Sequence, residues 1–220
     1  MKAFIIFRDR VSYGRRCADA MRRAGLDPVI VDHGSTWPAA LAWLTGLEQW
    51  GIEVLYRGGG HPRHLWEWTP FLESRGSDRY VVTDPDVIPS PKCPLDWPQR
   101  LSGLLDEYPG SAKAGLGLRI DNLPEHYSRR QQVIEWEKHF WDDELEPGVF
   151  RAPLDTTLAL YRERSRFELD GLRTGNPYVA DHLAWHEDFS ALPAETAYYY
   201  QNAERGISHW AVRGVSAWGD

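Results

Sequence analysis

Four short apolar runs dominate the first 83 residues: KAFIIF (2–7), DPVIVD (27–32), IEVLY (52–56) and RYVVT (79–83). Each reads as a buried strand, and helix-period segments fill the gaps. Residues 12–24 form one such segment, stopped by Gly25. Residues 37–49 form another before Gly51, and 64–74 a third. An alternating strand–helix order leaves few architectures open. Successive strands lie parallel, and the helices must cover both faces of a sheet that is apolar on both sides. Beyond Pro98 the pattern predicts a helix to 108, a strand at 111–120, a helix at 129–141 and a strand at 154–162. Helices are expected around 179–186 and 194–204. The expected class is α/β, with a mostly parallel central sheet and helices on both faces.

At 220 residues one domain, 1–220, is the natural organisation. Two cysteines, Cys17 and Cys93, supply neither a disulfide framework nor a four-cysteine zinc site. With no secretory leader and no apolar run long enough to span a bilayer, a reduced, cytoplasmic protein without a membrane span is expected. The net charge of -7 opposes a protein that coats nucleic acid. Arginines number 21 against 4 lysines, which suits phosphate recognition by planar forks but equally a GC-rich coding sequence. Eleven tryptophans suit either a sugar-stacking surface or a core.

Ligands of such sheets bind at the carboxyl ends of the strands. Those ends carry Arg8, Asp9 and Arg10; then Asp32, His33, Gly34 and Ser35; then RGGGHPR (57–63); then Thr83, Asp84, Pro85 and Asp86. No GxxxxGK[ST] phosphate loop is present, and the first turn lacks GxGxxG. With 17 aspartates, about 1.3 D-x-D triplets arise by chance, so Asp84-Pro85-Asp86 is informative through position alone. Two carboxylates at a buried strand's ligand edge call for a cation. Oxygen ligands with open positions suit Mn²⁺ or Mg²⁺ shared with substrate phosphates. An Asx turn closing the strand would use the same residues.

His182 and His186 are four apart, a spacing that would place them on one helix face, in HLAWH rather than the zinc-protease HExxH. Either can serve as a third ligand to the same cation, or both can belong to a solvated helix end. Asp155-Thr156-Thr157 precedes the apolar LALY, where a carboxylate can act as a general base or merely cap a turn.

Taken in order, RDR, VDHGST, DPDVIP, IDNLP, WE, DTTLALYR and YVADHLAWHED resemble the GT-A fold nucleotide-sugar glycosyltransferases of the inverting family-2 group, particularly small bacterial and phage-type members. The resemblance runs from about residue 3 to 210. It implies a single Rossmann-like GT-A domain, residues 1–90 binding the nucleotide sugar and 91–220 supplying the acceptor side. It further implies a donor diphosphate sugar, a UDP-sugar foremost, and an acceptor hydroxyl on a glycan, a protein or a modified DNA base. By this resemblance Asp32 recognises the base, with Arg8, Asp9 and Arg10 near ribose or phosphates. Asp84 and Asp86 hold the divalent ion against the diphosphate, and His182 completes its shell. His33 stands where a second acidic residue is frequent, and Glu187-Asp188 matches the family's acidic pair in part. Read from the residues, the expected catalytic base is Asp155, with Asp188 and Glu187 as competitors and Glu137 third. The rival reading is a metal-dependent nucleotidyltransferase or hydrolase built on the same DPD carboxylates.

Overall fold

The computed structural model describes residues 1–202 of the chain, and every statement below concerns those residues. In its first half β1 (Lys2–Phe7), β2 (Asp27–Asp32), β3 (Glu53–Tyr56) and β4 (Tyr80–Thr83) are joined through α1 (Val11–Arg23), α2 (Pro38–Leu47) and α3 (Thr69–Arg75). All four strands run parallel, in the order β3-β2-β1-β4. The expected α/β class with helices on both sheet faces is what the chain adopts.

Strand β1 shows why. Ala3, Ile5 and Phe7 pack into one buried layer, with Cys17 and Met21 of α1 and Ala40 and Leu44 of α2. Phe4 and Ile6 point the other way, against Leu65, Trp66 and Phe71. A period of two thus feeds two cores, each fully buried large side chain contributing about 1.5–3 kcal/mol. Gly14 is where α1 touches β1. A Cβ there would lie 2.8 Å from ring atoms of both Phe7 and Trp43.

The second half is mixed. It comprises β5 (Val87–Pro89), α4 (Trp97–Glu107), β6 (Lys113–Leu118), α5 (Arg130–Glu137), β7 (Glu144–Glu146), β8 (Val149–Arg151), β9 (Ala159–Tyr161), β10 (Leu172–His182) and α6 (Ala194–Asn202). Together with the first half these make one ten-stranded sheet. The path continues β4-β9-β6-β10-β8-β7, and β5 pairs with β10. Strand β9 is antiparallel to both its neighbours, so the sheet is parallel only in part.

Three expectations are corrected here. The predicted helix at 179–186 is instead the end of β10 and a 3-10 turn at Leu183–His186. Strand β10 lies between β6 on one side and β8 and β5 on the other, and these neighbours take up its backbone hydrogen bonds. Ladder pairing overrides local helical periodicity at such a site. His182 and His186 consequently do not share a helix face. The strand expected at 154–162 is regular only over Ala159–Tyr161, which frees Asp155, Thr156 and Thr157 as a loop. The 144–151 hairpin was not expected; Gly148 turns it at φ 76. The end of the predicted 194–204 helix, and of the resemblance at 210, lies outside the described residues.

Candidate active site

The parallel strands β1, β2 and β4 end on one edge, and a cavity of about 270 Å³ opens there. Arg8, Arg10, His33, Asp84, Asp86, Asp155 and His182 all line it. Seven strand-end or loop residues from five segments of sequence thus face a common space. Neither Asp9 nor Asp32 lines this cavity.

Asp84 and Asp86 occupy the turn between β4 and β5. Thr156 Oγ1 lies 3.0 and 2.9 Å from the two Asp84 carboxylate oxygens, which fastens the Asp155–Thr157 loop to the acidic turn. Burial, then the neighbouring charges of Asp86 and Asp155, push the Asp84 carboxyl well above its ordinary range. For Asp86 burial also pushes upward, but Arg10 and then His182 more than offset it, and its pKa lies below the ordinary value. The cause is direct: Arg10 Nη2 sits 3.0 Å from Asp86 Oδ2. Pairing of β5 with β10 brings His182 opposite Val87, and Leu183 N donates to Asp86 O at 2.7 Å. The His182 ring stacks on Trp185, centroids 4.5 Å apart, and burial lowers its pKa.

The first turn divides its three charged residues between fold and site. Asp9 is fully buried at φ 59, and its Oδ1 accepts from Thr36 N at 2.7 Å and Trp37 N at 2.8 Å, just ahead of α2. It works as a cap for backbone N–H groups that the helix leaves unpaired. Arg8 reaches the C-terminal end of α6, donating to Asn202 O at 2.9 Å. Asp32 turns back on its own segment, accepting from Ser35 Oγ at 2.5 Å and Ser35 N at 3.1 Å. His33 takes the place on the cavity wall. Its Nδ1 lies 3.3 Å from Arg57 Nη1, and burial followed by the Arg57 charge lowers its pKa to about 4.

Asp155 lines the cavity half-exposed, 3.7 Å from Arg63 Nη2. Its loop rests on Lys113, a fully buried lysine at the start of β6. Lys113 Nζ donates to Leu154 O, to Asp155 O at 3.3 Å and to Tyr161 Oη at 3.3 Å. Burial lowers its pKa to about 7, against the ordinary 10.4. Between those values the unfolded chain holds a proton that the folded one has lost, so Lys113 makes stability rise with pH from about 7 toward 10.4. In Lys113→Met that rise should flatten. Urea unfolding at pH 7 and pH 9 on both proteins checks it; equal slopes would show that Lys113 does not titrate in this window.

Glu137, the third base candidate, lines the same cavity and is paired within its wall. Its Oε2 is 2.8 Å from Arg173 Nη1, both side chains being nearly inaccessible. Arg173 in turn donates to Pro153 O, which steadies the approach to Asp155. Asp188 lies apart. It is exposed, accepts from Ser190 N at 2.9 Å and Ser190 Oγ at 2.6 Å, and borders a separate recess with Arg16 and His186. Its neighbour Glu187 points inward, taking the hydroxyls of Tyr13 and Tyr200.

Sequence reasoning missed the Arg10–Asp86 pair and Lys113. The lysine carried a signal, standing alone in the apolar run SAKAGLGL. The pair carried none, because residues 76 apart reveal no contact.

Among the described residues, no three His, Cys, Asp or Glu side chains form a group able to hold a metal ion by themselves. The donor set nonetheless fits a divalent ion that takes further ligands from a diphosphate. Two carboxylates stand at the strand edge, and the buried His182 Nδ1 has no hydrogen-bond partner.

The architecture is the GT-A fold. Among solved structures, the chain is similar to a mannosyltransferase of Pyrobaculum calidifontis determined with GDP-Man and Mn²⁺, with TM-score 0.54 and 13% identity over 92% of this chain and 60% of that one. It is also similar to residues 1–349 of S. aureus TarS (TM-score 0.48, 12% identity, 95% and 67% covered). A third is glucosyl-3-phosphoglycerate synthase of Mycobacterium tuberculosis (TM-score 0.45, 17% identity, 74% and 56% covered). The chain therefore spans about three fifths of that mannosyltransferase. No family model and no curated protein sequence matches. No helix among the described residues is long and apolar enough to cross a membrane.

Proposed function

We propose that this protein is a glycosyltransferase that moves a sugar from a nucleoside-diphosphate sugar, a UDP-sugar foremost, to an acceptor hydroxyl with inversion. The observation that carries this reading is the meeting of Asp84, Asp86, Arg8 and Arg10 with Asp155 around one cavity at the carboxyl edge of a GT-A sheet. Asp84, Asp86 and His182 are the residues to hold Mn²⁺ or Mg²⁺, which when bound neutralises the leaving diphosphate. Arg8 and Arg10 add fixed positive charge beside it. Asp155, reached from the other half of the chain, takes the proton of the attacking hydroxyl. Residues 1–90 then form the donor half and 91–220 the acceptor half. Asp32, the residue that recognises the base in this reading, is bound to Ser35 and does not line the cavity. A cytoplasmic setting agrees with the two free cysteines, and the acceptor is a glycan, a protein side chain or a modified DNA base.

A panel of nucleotide sugars with Mn²⁺, read by thermal shift, tests the donor. A donor at 100 times its Kd stabilises by about 2.7 kcal/mol. The stabilising donor is then incubated with candidate acceptors. Release of nucleoside diphosphate supports sugar transfer. Release of sugar 1-phosphate instead, with the nucleoside monophosphate moved to the acceptor or to water, assigns the DPD pair to nucleotidyl transfer or hydrolysis.

A further inference from the structure

The Arg10–Asp86 pair lies inside the wall that a metal and a diphosphate would share. Nη2 and Oδ2 are 3.0 Å apart, and both side chains are almost wholly shielded from solvent. The guanidinium is boxed by aromatic rings, 4.2 Å from the Tyr199 centroid and 5.0 Å from that of Tyr13. Tyr199 belongs to α6 and Tyr13 to α1, so the two helices hold the cation against Asp86 between them. This is a built position, with the charge aimed at one of the two carboxylates that a metal needs.

A divalent ion drawing on Asp86 meets a positive charge already bound to one of the carboxylate oxygens. Two cations at one carboxylate repel, and in a shielded site the repulsion is poorly screened. A diphosphate relieves it, because its oxygens offer the guanidinium a second anion and the metal further ligands. We propose that Arg10 is a built-in counter-cation that keeps divalent metal off the Asp84–Asp86 pair until a nucleoside diphosphate arrives, so that metal and donor enter as one unit. This rests on the donor reading above, and it makes Arg10 a positioning residue for both.

Mn²⁺ binding to the full chain, followed by electron paramagnetic resonance of the free ion, reads this without any turnover. Wild type, Arg10→Met and Arg10→Gln are titrated alone and then with saturating UDP or GDP, after circular dichroism confirms the fold. Without nucleotide, each variant should bind Mn²⁺ at least roughly tenfold more tightly than wild type. Nucleotide should tighten Mn²⁺ binding far more in wild type than in the variants, and Mn²⁺ should tighten nucleotide by the same factor. Equal Mn²⁺ affinity in wild type and either folded variant overturns the proposal. So does wild type binding Mn²⁺ alone with a Kd below about 10 µM, a test that needs no variant. Should the variants gain Mn²⁺ affinity while neither nucleotide binds wild type, the counter-cation role stands and the donor reading fails.

Discussion

Asp86→Ala is expected to lose transfer activity and much of the fold's stability together, whereas Asp84→Asn loses activity alone. The two carboxylates are two residues apart but differ in what they hold. Asp86 balances Arg10 inside a shielded wall. Removing one partner of such a pair leaves an uncompensated buried charge and costs about 3–5 kcal/mol. Set against a typical total of about 5–15 kcal/mol, that is a large fraction. Asp84 is the reverse case. Its carboxyl is strained upward by burial and by the Asp86 and Asp155 charges, and only Thr156 donates to it from a side chain. A neutral amide keeps the Thr156 hydrogen bond and removes the repulsion. Urea unfolding of the metal-free proteins should therefore place Asp84→Asn at or above wild type and Asp86→Ala far below it. Transfer should fall by at least about 10²-fold in each, the scale of a lost electrostatic stabiliser. An Asp86→Ala protein that unfolds at the wild-type midpoint would mean that Arg10 does not depend on this partner.

Asp155→Asn should leave the fold and the donor affinity intact while turnover drops by about 10²- to 10⁴-fold, the usual worth of a general base. The side chain is half-exposed, it pairs with Arg63 at 3.7 Å, and its loop is held by backbone contacts to Lys113 that an amide does not disturb. Single-turnover rates beside donor binding by calorimetry separate the two quantities. Asp188→Asn is the control. Lying at a separate recess and bound to Ser190, it should turn over near the wild-type rate. If instead Asp188→Asn is inactive and Asp155→Asn is not, the base belongs to the recess.

Much of this site was visible as residue types at strand ends. Arg8, Arg10, Asp84 and Asp86 reach one cavity because apolar runs fix where strands stop and parallel strands stop on one edge. Asp155 reaches it from the loop before antiparallel β9, and His182 from the end of β10. Asp9 and Asp32 show the limit of that reasoning. A carboxylate at a strand end is drawn toward unpaired backbone N–H groups nearby as readily as toward a ligand. Asp9 goes to Thr36 and Trp37, and Asp32 to Ser35. Which partner wins depends on the path of the next few residues, and the left-handed φ of 59 at Asp9 is not written in composition or period.

By itself the sequence determined the α/β alternation of the first 83 residues, the two-sided burial of β1 and the placement of the DPD turn at a ligand edge. These follow from local periodicity, which neighbouring residues enforce on one another. Only the tertiary structure decided that 172–182 is a strand, because its hydrogen-bond partners lie in β5, β6 and β8, far away in sequence. It alone decided that Arg10 neutralises Asp86 across 76 positions and that Lys113 carries the Asp155 loop across 42. Charge pairing inside a low-dielectric wall is set by distance in space, and sequence separation does not encode that distance.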